Sequence, residues 1–134
     1  MAVKRYLLDT NHAGTLLHES ASLWNRVGNL DGEQCGLCMP CVGELWFMVL
    51  NSGRVRTNRG KLEALLRQFV IWPFDANAAI EFGTLRVELR KAGKPIPTFD
   101  VLIAAIARVN DLVLPTADHH FQVVDGLKIE NWLG

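Results

Sequence analysis

The chain has 134 residues, of which 49% are hydrophobic, and its 14 basic and 14 acidic side chains cancel at neutral pH. This composition excludes a disordered chain and a protein that coats nucleic acid through charge alone, and it suits one compact domain spanning residues 1–134. No apolar run reaches the roughly 20 residues that a membrane helix needs, and the first residues lead directly into a predicted strand. We therefore expect a cytoplasmic protein without a membrane segment.

The first predicted element is a buried strand that ends at a carboxylate. Residues 6–8 are continuously apolar, which is typical of a strand covered on both faces, and Asp9 follows directly. Ligands bind at the carboxyl ends of strands in open α/β sheets, so an acid at this position can face a cleft. Asp9, Thr10 and Asn11 are also good helix N-caps, and taken alone they favour that interpretation.

The pattern after Asp9 predicts a helix, a turn and a second strand. The helix covers residues 12–30 with Ser20 as an internal cap, and residues 31–32 form the turn. The second strand covers about residues 36–39. These elements are the start of an alternation between helix and strand that continues along the chain.

An apolar helix is predicted directly after the second strand. Pro40 suits its first turn, and a polar segment at residues 51–53 ends it. Glu44 is expected in the first turn of this helix, close to the carboxyl end of the strand. A glutamate at that position can simply favour the helix dipole.

Three cysteines, Cys35, Cys38 and Cys41, lie at this strand-to-helix junction. Their spacing suggests a zinc or iron–sulfur site, but such sites usually need four ligands and the chain has no further cysteine. An odd, clustered set also argues against a secreted disulfide framework. We interpret them as buried thiols that pack like small hydrophobic side chains.

The second half of the chain repeats the alternation of helix and strand. Asp75 is predicted to cap a long helix that Gly93 ends, and an Ala-rich helix over residues 98–107 is apolar almost all round, so it must be buried. Together the elements predict an α/β domain with a mainly parallel central sheet of four to five strands and helices on both faces. The predicted elements are a helix over 54–68, strands at 70–72 and 112–114, and a last short strand near 127–130.

Four acids follow strands or begin helices at positions that can share one edge of this sheet: Asp9, Glu44, Asp100 and Asp118. Carboxylates at short range repel one another and stay ionised together only where a cation neutralises them. Oxygen ligands in this number suit Mg²⁺ or Mn²⁺. Asp100 is the strongest candidate, because it is the only charged residue in the apolar helix over 98–107.

In order and spacing, the chain resembles PIN-domain endoribonucleases and, among them, the VapC toxins of bacterial type II toxin–antitoxin modules. Each motif is short, but the ordered set covers essentially the whole chain. The motifs are Leu-Leu-Asp-Thr-Asn at 7–11, Val-Gly-Glu-Leu at 42–45, Gly-Lys-Pro-Ile at 93–96, Asp-Val-Leu-Ile-Ala-Ala at 100–105, Thr-Ala-Asp-His-His-Phe at 116–121, Val-Asp-Gly-Leu at 124–127 and Asn-Trp at 131–132.

The resemblance implies metal-dependent hydrolysis of RNA phosphodiester bonds, with Asp9, Glu44, Asp100 and Asp118 as the catalytic acids. Asp9 and Asp100 would bind Mg²⁺, or Mn²⁺ in its place, while Glu44 and Asp118 orient a water or a second ion. Thr10 would support these ligands without touching the metal. The implied partners are an RNA substrate and a cognate VapB-like antitoxin, and the implied assembly is a homodimer.

Three histidines lie near the predicted site. His12 could touch substrate or metal, but an imidazole satisfied by nearby backbone is the more common arrangement. One of His119 and His120 could donate to a phosphate, although we interpret both as solvated loop residues.

Arg54, Arg56 and Arg59 are the candidate contacts for RNA phosphates, against the alternative of a solvated basic helix face. The four tryptophans fall within apolar patterns, which favours core or antitoxin-groove packing over stacking on bases. They are Trp24, Trp46, Trp72 and Trp132.

Two other functions remain as alternatives. A phosphatase of the haloacid-dehalogenase type also begins with a strand that ends in Asp, but it needs a second Asp where this chain has Asn11. A catalytically idle module that keeps the fold and its partner groove is the other, and the presence of all four acids argues against it.

Overall fold

The computed structural model describes residues 4–18, 21–28 and 34–132, so Ser20 and the predicted turn at 31–32 lie outside the described residues. Five strands and six α-helices alternate along the described chain. The strands are β1 Tyr6–Leu7, β2 Cys35–Cys38, β3 Val70–Trp72, β4 Val113–Pro115 and β5 Lys128–Glu130. The helices are α1 Thr10–Leu17, α2 Ala21–Gly28, α3 Met39–Leu50, α4 Val55–Leu66, α5 Ala76–Lys91 and α6 Thr98–Val109.

The strands form one sheet in the order β3-β2-β1-β4-β5, and every pair in it is parallel. The predicted fold class is therefore confirmed. β1 lies at the centre, with β2 on one side and β4 on the other. Because the neighbouring strands lie on opposite sides of β1, a crevice opens at its carboxyl end, which is where α/β sheets of this kind bind ligands.

Two hydrophobic clusters cover the two faces of the sheet. Leu7 and Leu8 are both fully buried and point into different clusters, as successive residues of a strand must. Leu7 packs with residues of α5 and α6, while Leu8 packs with residues of α1, α3 and α4. The continuous apolar sequence of β1 follows from this burial on both sides.

The helix ends agree with the sequence in α5 and differ from it in α3. The Asp75 side chain accepts a hydrogen bond of 3.0 Å from the Ala78 amide at the start of α5, and Gly93 follows the helix with φ +67°. α3 begins at Met39, with Pro40 in its first turn. Glu44 is therefore in the second turn, and its predicted position in the first turn was wrong because it lies four residues, more than one helical turn, after Pro40.

The segment after β4 contains a short helix that the sequence did not predict. Residues His119–Val123 form a 3-10 helix, and the Asp118 side chain caps it by accepting from the His120 amide. Among the helices of the described residues, none has the length and apolar character that crossing a membrane requires.

Candidate metal and nuclease site

A cleft of about 240 Å³ opens at the carboxyl end of β1, between α1, α3 and α6. All four predicted acids lie on its walls. Of the described residues that line it, none is Lys or Arg, so the negative charge of the acids is not balanced by a basic side chain there. The lining residues are Asp9, Thr10, Asn11, Glu44, Phe99, Asp100, Ile103, Asp118 and Phe121.

Asp9 is the buried acid of this cleft, with 4% of its surface exposed. It caps α1, and its Oδ1 accepts a hydrogen bond of 2.8 Å from the His12 amide. Its Oδ2 accepts one of 2.5 Å from the Thr116 hydroxyl. Asp9 is therefore both the helix cap and a cleft acid, so the two interpretations of this residue do not exclude one another.

His12 contacts the same carboxylate with its ring. Its Nδ1 lies 2.8 Å from Asp9 Oδ1, and the residue is completely buried. Since a carboxylate oxygen can only accept, Nδ1 carries the proton, and Nε2 has no hydrogen-bond partner in the structure. The expectation that backbone satisfies this imidazole was wrong, because the carboxylate of Asp9 takes the place of a backbone acceptor.

Asp100 and Asp118 are on the open side of the cleft, and the ring of His120 contacts both of them. His120 Nδ1 lies 3.0 Å from Asp100 Oδ2 and 3.1 Å from Asp118 Oδ1. The side chains of Asp100 and Asp118 are 15% and 27% exposed, and that of His120 is 38% exposed. Burial raises the pKa of Asp100 above its ordinary value, and the hydrogen bond with His120 opposes this shift.

Glu44 and Thr10 reach the cleft from different helices. Glu44 is exposed and extends from α3, whereas Thr10 begins α1. The Thr10 hydroxyl donates to Cys41 Sγ over 3.4 Å, and Cys38 Sγ lies 3.3 Å from the same sulfur. Both cysteines and Cys35 are fully buried, and burial raises the pKa of Cys35 to about 12. Their interpretation as packed thiols agrees with this burial.

The contacts that Thr116 and His120 make in the site were not identified from the sequence. Thr116 joins Asp9 to the segment after β4, because its hydroxyl also accepts from the Asp118 amide over 3.0 Å. Its position one residue after β4, beside the end of β1, is the signal that could have identified it. His120 was interpreted as a solvated loop residue, which was wrong, since its ring bridges two acids.

The three arginines proposed to contact RNA are exposed around the start of α4. Arg59 pairs with Glu63 over 2.9 Å, and its guanidinium lies 5.4 Å from the centre of the Trp46 ring. None of the three lines the cleft. Their contact with RNA stays a prediction.

The donor set of the cleft fits a divalent cation. One ligand atom each from Asp100, Asp118 and His120 lies within 4.8 Å of the others. The Asp9 carboxylate lines the same cleft, and both of its oxygens accept hydrogen bonds. Carboxylates that converge in this way are the ligands that Mg²⁺ and Mn²⁺ prefer in proteins.

Comparison with known proteins finds relatives that match almost the whole length of the chain. Residues 6–127 match the PIN domain family. The tRNA(fMet)-specific endonuclease VapC of Shigella flexneri is 30% identical over 130 residues, covering 96% of this chain and 98% of that protein. Ribonuclease VapC2 of Haemophilus influenzae is 30% identical over 131 residues, with coverage of 96% and 98%.

Solved structures share this fold. VapBC2 of Rickettsia felis, bound to a DNA fragment from its promoter, superposes with a TM-score of 0.88 at 28% identity and covers 95% of this chain and 98% of that one. DNA-bound VapBC of Salmonella typhimurium gives a TM-score of 0.90 at 26% identity, with coverage of 97% and 99%.

Proposed function

The chain belongs to the PIN domain family, and on that premise we propose that it is a metal-dependent endoribonuclease and the toxin of a VapBC-type toxin–antitoxin pair. The observation that carries the proposal is the meeting of Asp9, Glu44, Asp100 and Asp118 in one cleft at the carboxyl end of the central strand. The relatives named as VapC endonuclease and ribonuclease support the reaction class.

Asp9 and Asp100 are the residues that we propose to bind Mg²⁺, with Mn²⁺ as the alternative ion. When bound, such a cation supplies the positive charge that activates a water and stabilises charge on the reacting phosphate. The protein contributes the orientation of the ligands. Thr116 and His12 fix both oxygens of Asp9, so that acid needs no rearrangement to act as a ligand.

Glu44 and Asp118 have different surroundings and therefore different proposed roles. Glu44 is exposed and extends from α3, so its carboxylate can accept a proton from the attacking water. The Asp118 carboxylate is held in place because it accepts a hydrogen bond of 2.9 Å from the His120 amide. We propose that it orients a water or a second ion. Thr10 also lines the cleft, and its hydroxyl joins the start of α1 to α3 through the hydrogen bond to Cys41 Sγ.

We further propose that the substrate strand reaches the cleft from solvent and that Arg54, Arg56 and Arg59 contact its phosphates. All three side chains are exposed and belong to the start of α4, the helix next to the one that carries Glu44. Because one relative is named as specific for initiator transfer RNA, that RNA is the first defined substrate to test. The proposed compartment is the cytoplasm, where such RNA is used.

The proposed protein partner is a VapB-like antitoxin, and the proposed assembly is a homodimer. Large apolar side chains are exposed on α3, where Phe47 is 62% and Leu50 is 57% accessible. An apolar surface of this kind suits a partner helix or strand. The antitoxin encoded with the chain should form a stable complex that suppresses cleavage, and light scattering of the free chain should give twice the mass of one copy.

The experiment that tests the nuclease is cleavage of total RNA, and then of initiator transfer RNA, in Mg²⁺, in Mn²⁺ and in chelator. Wild type is compared with Asp100→Asn, which removes one proposed ligand charge and keeps the shape. Asp111→Asn is the matched control, because Asp111 is exposed, pairs with Lys128 and does not line the cleft.

We expect metal-dependent cleavage by wild type and by Asp111→Asn, and a loss of about a hundredfold or more in Asp100→Asn. Cleavage that persists in chelator, or that survives Asp100→Asn, would contradict the proposed site. Absence of cleavage by the antitoxin-free chain on both RNA preparations would favour an idle binding module instead.

A further inference from the structure

We propose that His120 is a ligand of the catalytic cation through its Nδ1, so that the site holds a nitrogen ligand beside its carboxylates. The inference rests on the proposed function, because it concerns the cation of the same cleft. It concerns a residue that the acidic pattern of the sequence does not include.

The spacing of the three side chains fits a coordination shell as well as the hydrogen bonds that the ring makes in the structure. His120 Nδ1 lies 3.0 Å from Asp100 Oδ2 and 3.1 Å from Asp118 Oδ1. Two ligands at right angles, each about 2.1 Å from an octahedral ion, lie about 3 Å apart. The imidazole nitrogen therefore stands at the position of a neighbouring ligand relative to both carboxylates.

Hydrogen bonds hold the backbone of His120, from which the ring extends, in place beside the two acids. The His120 amide donates to Asp118 Oδ1 over 2.9 Å, and the Asp118 amide donates to the Thr116 hydroxyl over 3.0 Å. His120 belongs to the 3-10 helix His119–Val123, and the buried side chain of Phe121 anchors this helix to the core. A ligand that is fixed in this way binds without a large loss of side-chain entropy.

The alternative is that His120 only donates a hydrogen bond to the acids while they bind the cation. Both arrangements share the spacing described above, but they differ in which form of Nδ1 faces the cleft. As a ligand, Nδ1 offers its lone pair and the proton lies on Nε2. As a donor, Nδ1 keeps its proton and stays outside the coordination shell.

A nitrogen ligand changes which ion the site prefers. Mg²⁺ binds almost exclusively through oxygen, whereas Mn²⁺ and the later transition ions also accept imidazole. The proposal therefore predicts that removal of His120 weakens Mn²⁺ binding by about tenfold and Mg²⁺ binding by less.

The test is pulsed electron paramagnetic resonance of the Mn²⁺-loaded full-length chain, which detects the coupling of a directly bound nitrogen nucleus to the ion. Wild type is compared with His120→Gln and with His119→Gln. His119 is the matched control because it is the adjacent exposed histidine, with its ring 4.7 Å from that of His120. Titration calorimetry gives the Mn²⁺ and Mg²⁺ affinities of each protein.

We expect the nitrogen coupling in wild type and in His119→Gln and its loss in His120→Gln, with the selective loss of Mn²⁺ affinity. Stoichiometric Mn²⁺ without nitrogen coupling in wild type would overturn the proposal, and this measurement needs no variant to fold. A coupling that persists in His120→Gln would also overturn it and assign the nitrogen to another residue.

These outcomes are separate from those of the cleavage experiment. A chain that binds Mn²⁺ through nitrogen but cleaves no RNA would retain the ligand assignment and lose the proposed nuclease function. A chain that cleaves RNA with an all-oxygen site would retain the nuclease and lose the role of His120. Failure of both Mn²⁺ and Mg²⁺ to bind would overturn both.

Discussion

The two sides of the cleft are built in different ways. Asp9 is buried, and both of its oxygens accept hydrogen bonds from the protein. Asp100 and Asp118 are partly exposed and share a single half-buried histidine. The hydrogen-bonding capacity of Asp9 is therefore used within the fold. Asp100 and Asp118 together carry two carboxylates against one imidazole. The difference predicts that Asp9 contributes mainly to the stability of the fold, and that Asp100 and Asp118 contribute mainly to ligand binding.

Substitution of Asp9 should give the largest difference between the two sides. Asp9→Ala removes the cap of α1 and leaves the buried Thr116 hydroxyl and His12 ring without their acceptor, so it should destabilise the fold by about 2–4 kcal/mol. Asp100→Ala should change the stability by less than about 1 kcal/mol, because it loses only a partly exposed pair with His120. Urea unfolding in chelator measures both. Equal losses would show that the two sides are not built differently.

Thr116→Val should come next in size. The valine keeps the shape but removes the donor to Asp9 and the acceptor of the Asp118 amide, which should destabilise the fold by about 2 kcal/mol. Thr84→Val is a suitable control, since its hydroxyl contacts only the exposed Ile80 carbonyl within α5. If both valine variants unfold at the same urea concentration, the bond to Asp9 contributes no more than a surface bond.

His12→Leu should have a smaller effect, within about 1 kcal/mol of wild type. The substitution loses the ring contact with Asp9, but it also removes a buried nitrogen that has no partner, and the backbone amide still donates to Asp9. The same unfolding experiment measures it. A loss above about 2 kcal/mol would indicate that Nε2 is satisfied by a group such as a buried water.

The smallest expected effect is the pH dependence of the stability that Asp100 contributes. Because burial raises the pKa of folded Asp100, its contribution to stability is present at low pH and is lost as the pH rises through that raised pKa. In chelator, Asp100→Asn should therefore gain stability relative to wild type as the pH rises above the ordinary pKa of an aspartate, about 4. A difference that stays constant with pH would contradict the shift. Saturating Mn²⁺ should reverse the order, since the ion favours the ionised wild-type acid.

The sequence predicted the order of the elements because each strand and helix has a local pattern. The apolar run before Asp9 and the Ala-rich helix behind Asp100 are examples, and both are buried as expected. The gathering of the four acids also followed from topology, because the ends of parallel strands share one edge. Their individual catalytic roles stay predictions.

What the sequence did not predict depends on contacts between distant residues. His120 looks like a solvated residue until Asp100 is placed beside it, and the role of Thr116 appears only when β4 lies next to β1. β2 also ends one residue earlier than predicted, at Cys38, and α3 begins at Met39. Helix and strand ends are set partly by packing, so local pattern alone leaves them uncertain by a few residues.

The hydrogen bond between Thr116 and Asp9 also has a consequence for biosynthesis, since it joins residues 107 positions apart. β1 is made first, yet it is the central strand and is paired on both sides only when β4 has been made. A ribosome must therefore translate most of the chain before the cleft can close around its acids, and contacts this distant form late in folding. The four acids of one nascent chain can therefore not meet before Asp118, the last of them, has been translated.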